Sequence, residues 1–273
     1  MQLHQLLLAI GLAGCLGNDT PVSSADGQYN VVGDLAPLCS GNNDGVIARS
    51  ELIFPVGATV RYLDNPAGTT VTVNPDGTMG ASGVTWDLTL DDPNDVALDF
   101  TLQPVAGAWW AASFPSASYA ALSDTTSGIL GVYEVTADSV LLLGFVSPTP
   151  NDTLLVYDAP IATLRFPLSE GMAWVTGARI TNGRLAGQPF ASKDDYQISV
   201  DAEGSATLPF LKFDNTLRVH VELTQALPGG ISVHTIQHIF MHECYGELGR
   251  MASQRGETNP SFTTAAEFRR LAL

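Results

Sequence analysis

The chain is poor in basic residues, in cysteine, in long apolar runs and in helical periodicity, and each shortage excludes something. Only 12 Lys and Arg stand against 28 Asp and Glu, for a net charge of −16. A phosphate backbone is repelled by such a surface, which excludes nucleic acid as a partner. Anionic lipid is repelled as well, so any membrane attachment has to rest on something other than charge; acidity of this kind mainly serves solubility. The apolar run at residues 6–13 is too short for a helix that must cross about 30 Å of hydrocarbon. It has the length of a signal-peptide core instead. There is no Gly-rich phosphate loop, no G-x-S-x-G elbow and no Ser, His and Asp spacing of a triad. The pairs Asp91-Asp92 and Asp194-Asp195 sit beside turn residues, where solvated carboxylates are common. No catalytic residue is assigned, and the expectation is a protein that is not an enzyme.

What is present is a period-two pattern. VTWDLTL (84–90) places Val84, Trp86, Leu88 and Leu90 on one face, and LRVHVELTQ (217–225) alternates Leu217, Val219, Val221 and Leu223 with Arg218, His220, Glu222 and Thr224. GILGVYEV, SVLLLGFV, TLLVYDA, AWVTGARI and YQISVDA continue the series at short intervals. Such spacing argues for an antiparallel all-β fold, a sandwich or a strongly curved, partly closed barrel. Pro228-Gly229-Gly230, Asp76-Gly77 and Asn182-Gly183 mark hairpins. Only FTTAAEFRRLAL at 262–273 has helical periodicity, which predicts a short C-terminal helix. The organisation read from these shifts is a signal peptide at 1–14, a lipid anchor with a flexible tether at 15–34, a loop segment at 35–56 and a β domain at 57–273.

The apolar run ends in Leu12-Ala13-Gly14-Cys15, which resembles the lipobox of bacterial lipoproteins. That resemblance implies cleavage before Cys15 and a lipid on its sulfur. It implies a place in the bacterial cell envelope, at the outer rather than the inner membrane because Leu16 is not a retention signal, with the membrane as partner through the anchor. The alternative is an ordinary secretory signal with a chance Cys. With Cys15 assigned to lipid, Cys39 and Cys244 remain as a pair in an oxidising compartment. The expected disulfide closes a loop worth about 4–5 kcal/mol if unstrained; the alternative is two separate buried thiols. The stretches LRFPLSEGMAW, YQISVDAEGSATLPFLKFDNTLRVHVELTQ and HECYGELGRMAS (within 164–253) resemble a recurrent β domain of secreted and lipid-anchored bacterial proteins. That likeness implies architecture alone.

SGNNDGVIARSE (40–51) has the register of an EF-hand-type calcium loop. With Gly45 at the sharp turn, the oxygen ligands fall on Ser40, Asn42, Asp44, the Val46 carbonyl and Glu51, and Ile47 points inward. Two carboxylates make any such site weak, around 10⁻⁴ to 10⁻³ M, and structural in role. Pro37 and Pro55 exclude a complete helix-loop-helix. The competing reading is an Asn-Asp-Gly turn entering one helical turn.

HTIQHIFMHEC (234–244) pairs His238 with His242 four residues apart, but the order is H-x-x-x-H-E, not the H-E-x-x-H of zinc proteases. The segment follows a hairpin turn and is rich in β-branched residues, so it reads as a strand. Residues four apart on a strand lie about 13 Å apart, too far to share one zinc bonded at about 2.0–2.1 Å. The bland reading is half-exposed strand histidines. A two-His site with a carboxylate forms only if His220 sits opposite one of them. The four tryptophans, Trp86, Trp109, Trp110 and Trp174, either pack the core or line a cavity for an apolar or sugar ligand. The expectation is a lipid-anchored envelope protein with a binding or structural β domain and an unidentified protein or small-molecule ligand. The rivals are a small-ligand carrier and a metal-dependent hydrolase using the 234–244 histidines.

Overall fold

The computed structural model describes residues 39, 41–90, 92–125 and 127–272; the expected signal peptide and tether, with Cys15 and Ser40, lie outside them. Fifteen strands account for most of these residues. They are β1 (Thr59–Asp64), β2 (Val71–Thr72), β3 (Thr78–Gly80), β4 (Gly83–Asp87), β5 (Val96–Thr101), β6 (Tyr119–Asp124), β7 (Ile129–Val135) and β8 (Ser139–Val146). The series continues with β9 (Leu154–Arg165), β10 (Ala173–Leu185), β11 (Gln188–Thr207), β12 (Lys212–Leu227), β13 (Ile231–His242), β14 (Gly246–Ser253) and β15 (Thr264–Ala272).

Twelve strands form one path, β5-β1-β15-β14-β13-β12-β11-β10-β9-β8-β7-β6. Its two ends meet, because Gln103 and Ala120 exchange backbone hydrogen bonds of 2.7 and 3.0 Å. The sheet is therefore an antiparallel, nearly closed barrel, and closure removes the open edges that invite aggregation. Strands β2, β3 and β4 lie off this path; β4 runs parallel to the last residues of β11, with Gly204 opposite Val84.

The period-two pattern sets which side chains enter the barrel. Leu217, Val219, Val221 and Leu223 of β12 pack with Ile198, Trp174, Tyr133 and Phe145 in the main core. Burying each such aliphatic side chain contributes about 1.5–3 kcal/mol. Arg179, Lys193 and Gln197 face outward and are exposed. Apolar inside and polar outside is the reverse of a membrane-spanning barrel. A second cluster, with Trp86, Phe213, Phe240 and Phe268, lies where β4 covers the outer face of β11 to β15. This cover buries both faces of β13 from Thr235 onward and all of β14.

One seam departs from the ladder. Strands β9 and β10 share a single backbone pair, Arg184 with Leu154. Side chains close the rest: Trp174 Nε1 donates to the Ala162 carbonyl at 2.8 Å, and the Arg179 N–H donates to Asp158 Oδ1 at 2.8 Å. Pro160 falls in this stretch of β9, where the missing N–H costs no ladder bond.

The expected C-terminal helix is corrected. Residues 264–272 form β15, paired with β14 on one side and β1 on the other. A lone helix of about 12 residues is marginal in water, whereas this segment gains ladder bonds along both edges. It also carries Arg269 to the buried Glu247, whose Oε1 accepts from Arg269 Nη2 at 2.7 Å while Oε2 accepts from Arg250 Nη2 at 2.7 Å.

Candidate functional site

Cys39 and Cys244 are disulfide-bonded, with Cα atoms 5.5 Å apart and 205 positions between them in sequence. The bridge holds the 41–51 loop against the turn after β13. Within that loop Asn42 Oδ1 accepts the Asp44 N–H at 3.0 Å, and Asp44 Oδ1 accepts the Val46 N–H at 2.9 Å. Glu51 is buried and its Oε2 accepts the Ala48 N–H at 2.7 Å, capping the single 3-10 turn of residues 49–51. Burial, opposed by that hydrogen bond, raises the Glu51 pKa above the ordinary carboxylate value. Glu243 Oε2, from the far end of the chain, accepts the N–H groups of Asn42 and Asn43 at 2.8 and 2.9 Å. Gly45 has φ 76°, and Ile47 exchanges backbone bonds of 2.8 and 2.9 Å with Leu168.

One other sequence expectation changes. Asp194 is not a solvated turn carboxylate: it lies within β11, fully buried, and accepts from Tyr157 Oη and, at 3.1 Å, from Gln225 Nε2. Trp86, Trp110 and Trp174 are buried in the cores, and Trp86 Nε1 donates to the Pro75 carbonyl at 3.0 Å. Core packing accounts for Trp86 and Trp110, and Trp174 packs in the main core while also bordering an outer groove. Trp109 is half-buried and borders an open surface groove with Arg184 and Phe190.

The histidines are the largest surprise. The hairpin closed by Pro228-Gly229-Gly230 pairs β12 with β13 so that His220 stands opposite His238, with ring centroids 4.9 Å apart. Asp201 is the extra residue of a bulge in β11 between Val200 and Ala202, and bulges of this kind re-aim a side chain. One ligand atom each from Asp201, His220 and His238 lies within 4.8 Å of the others, and among the described residues this is the group of His, Cys, Asp and Glu that converges so closely. His234 and His242 stand apart from it. His234 Nδ1 contacts the Glu257 carbonyl at 2.5 Å, and His242 Nδ1 contacts the Glu243 carbonyl at 2.6 Å.

His238 is 1% exposed and His242 is 4% exposed, so neither is the half-exposed strand residue that alternation predicts. The cover that buries them is the outer layer on β13. Burial depresses the His238 pKa to about 4, with the Pro260 carbonyl pulling the other way, so its imidazole is neutral near pH 7. Its Nε2 lies 2.8 Å from that carbonyl, and His220 Nε2 lies 3.1 Å from Glu222 Oε1. Both partners are pure acceptors, so each Nε2 donates its proton to one of them. Arg218 forks onto Asp201, Nε to Oδ1 at 2.8 Å and Nη2 to Oδ2 at 3.0 Å, and its Nη1 reaches the Pro75 carbonyl at 2.6 Å. His220 and Glu222 also line an open outer groove with Trp174, Val175, Gln197 and Ser199.

Sequence spacing along one strand could not show this cluster, because its members come from three strands. The hairpin turn was the available signal: counting outward from it pairs 220 with 238. Asp201 had only the break in alternation at DAEG as a clue. Comparison with protein-family models, with curated proteins and with solved structures finds no match to this chain.

Proposed function

We propose that this protein is a lipid-anchored component of the bacterial cell envelope, at the outer membrane, whose barrel has a non-catalytic binding or structural role. The observation that carries this reading is the filled interior. Tyr133, Phe145, Trp174 and Tyr196, with the aliphatics of β12, occupy the space that a carried ligand would need. The compartment rests on Leu12-Ala13-Gly14-Cys15 and on a disulfide of a kind that persists where thiols are oxidised. The polar outer face of β10 to β12 is the surface left for a partner.

The test uses the full chain expressed in a double-membraned bacterial host. Labelled palmitate should enter the parent and not Cys15→Ala, and the variant should leave the membrane fraction. Native mass spectrometry of the parent should show the chain and its lipid with no bound organic molecule. An unlabelled parent sinks the anchor, and a stoichiometric bound small molecule makes the protein a carrier.

The same reading gives the 41–51 loop a structural role, with calcium as its weak ligand at the concentrations found outside cells. The left-handed Gly45 and the inward bridge of Ile47 to Leu168 support it. Millimolar calcium should raise the melting temperature of the parent relative to a chelator, and Asp44→Asn should abolish the difference. Equal melting with and without calcium leaves the loop as a capped turn.

A further inference from the structure

We propose that His220, His238 and Asp201 form a binding site for one divalent transition-metal ion, zinc first, on the outer face of β11, β12 and β13. The first support is the placement of lone pairs. A neutral imidazole that donates from Nε2 has its lone pair on Nδ1, and both Nδ1 atoms are buried with no hydrogen-bond partner among the described residues. Leaving a buried acceptor unpaired is costly, and two of them on facing strands call for a shared partner that accepts lone pairs. A metal ion is such a partner.

The second support is the surroundings of the ligands. Metal-bound histidines characteristically donate their other ring N–H to a carboxylate or a backbone carbonyl, which sets the tautomer and raises basicity. His220 does so to Glu222 and His238 to Pro260. Asp201 has two oxygens and about four acceptor positions, of which the Arg218 fork takes two. The local charge also fits. Asp201, Glu222 and Asp76, which lies 3.4 Å from Arg218, are three carboxylates against one guanidinium. A divalent ion neutralises the remainder.

Tetrahedral bonds of about 2.0–2.1 Å put ligand atoms about 3.3 Å apart, so ligand atoms now within 4.8 Å of one another need to draw in by up to about 1.5 Å to hold the ion. Two imidazoles and a carboxylate suit zinc and its first-row neighbours, whereas calcium and magnesium take oxygen. Asp201 is the exposed member and His238 the buried one, so the remaining coordination position faces solvent. The ion ties three strands together and, through Pro260, the segment after β14.

The test is a titration of the EDTA-treated, purified full chain with cobalt(II), followed by visible absorption, and then displacement by zinc. The parent should bind one ion per chain with the intense bands of low-coordinate cobalt. His220→Ala, a part-exposed position that leaves the core intact, should lower affinity more than tenfold, as should His238→Ala. Glu222→Gln should lower it about tenfold through the outer hydrogen bond. Asp99→Asn, an exposed carboxylate on β5 paired with Arg61, should bind as the parent does. Absence of stoichiometric binding by the parent overturns the proposal, and so does unchanged binding by His220→Ala with circular dichroism matching the parent. Neither result bears on the lipid anchor, because the readout does not involve Cys15.

Discussion

Asp194 shows what a buried carboxylate does to pH dependence. In the unfolded chain it ionises near 4. In the barrel, burial raises its pKa against the lowering effect of hydrogen bonds from Tyr157 and Gln225. Between those two values the folded form holds the extra proton, so stability falls as pH rises from about 4 to the folded-state pKa and then levels off. Asp194→Asn keeps an acceptor for Tyr157 and does not titrate. Its urea midpoint should gain on the parent as pH climbs through that window, and a constant offset would refute the assignment. Glu247 is a buried carboxyl group that works by being paired. It is 0% exposed and holds both Arg250 and Arg269. Removing one partner of a buried pair costs about 3–5 kcal/mol, so Glu247→Ala should lose about that much in equilibrium unfolding.

Among the elements, β11 does the most to shape the molecule. Its first part pairs with β10 and β12, and after the bulge at Asp201 its end also takes β4 in parallel. Gly204 makes this junction possible, since a Cβ there would stand 2.4 Å from the Val84 carbonyl oxygen. Backbone cannot yield as a side-chain tip can, and such overpacking costs about 1–3 kcal/mol. Gly204→Ala should therefore destabilise by about that amount and raise hydrogen exchange in residues 83–87 more than in β12. Equal protection of those amides in both proteins would place the strain elsewhere. Strand β15 makes a related point. Its sequence has a helical stripe, yet Arg269 and Arg270 are both buried in ion pairs with Glu247 and Asp95. No isolated helix could supply those partners.

At the scale of the whole molecule, the disulfide and the barrel closure act on the same problem. Strand β1, early in the chain, pairs with the last strand, β15, and with β5 on its other edge, so the fold depends on contacts of long sequence separation, which are slow to form. The Cys39–Cys244 bridge shortens that search and removes entropy from the unfolded chain. Cys39→Ser with Cys244→Ser should cost about 2–5 kcal/mol in denaturant unfolding. An unchanged midpoint would mean that the closed barrel alone holds the 41–51 loop.

By itself the amino-acid sequence determined the extended character of the body, the inward face of β12, the partnership of two cysteines and the acidic surface. Each of these follows from local alternation or from a count, and needs no knowledge of neighbours. Closure into a barrel was not determined locally, because a period-two pattern looks the same in a sandwich and in a barrel. Nor was the burial of His238, which comes from a second layer laid over a face that alternation marks as outer. The joining of Asp201 to His220 and His238 needed both a hairpin register and a bulge. Strand pairing brings together residues that are distant in sequence, and only the tertiary structure decides which ones meet.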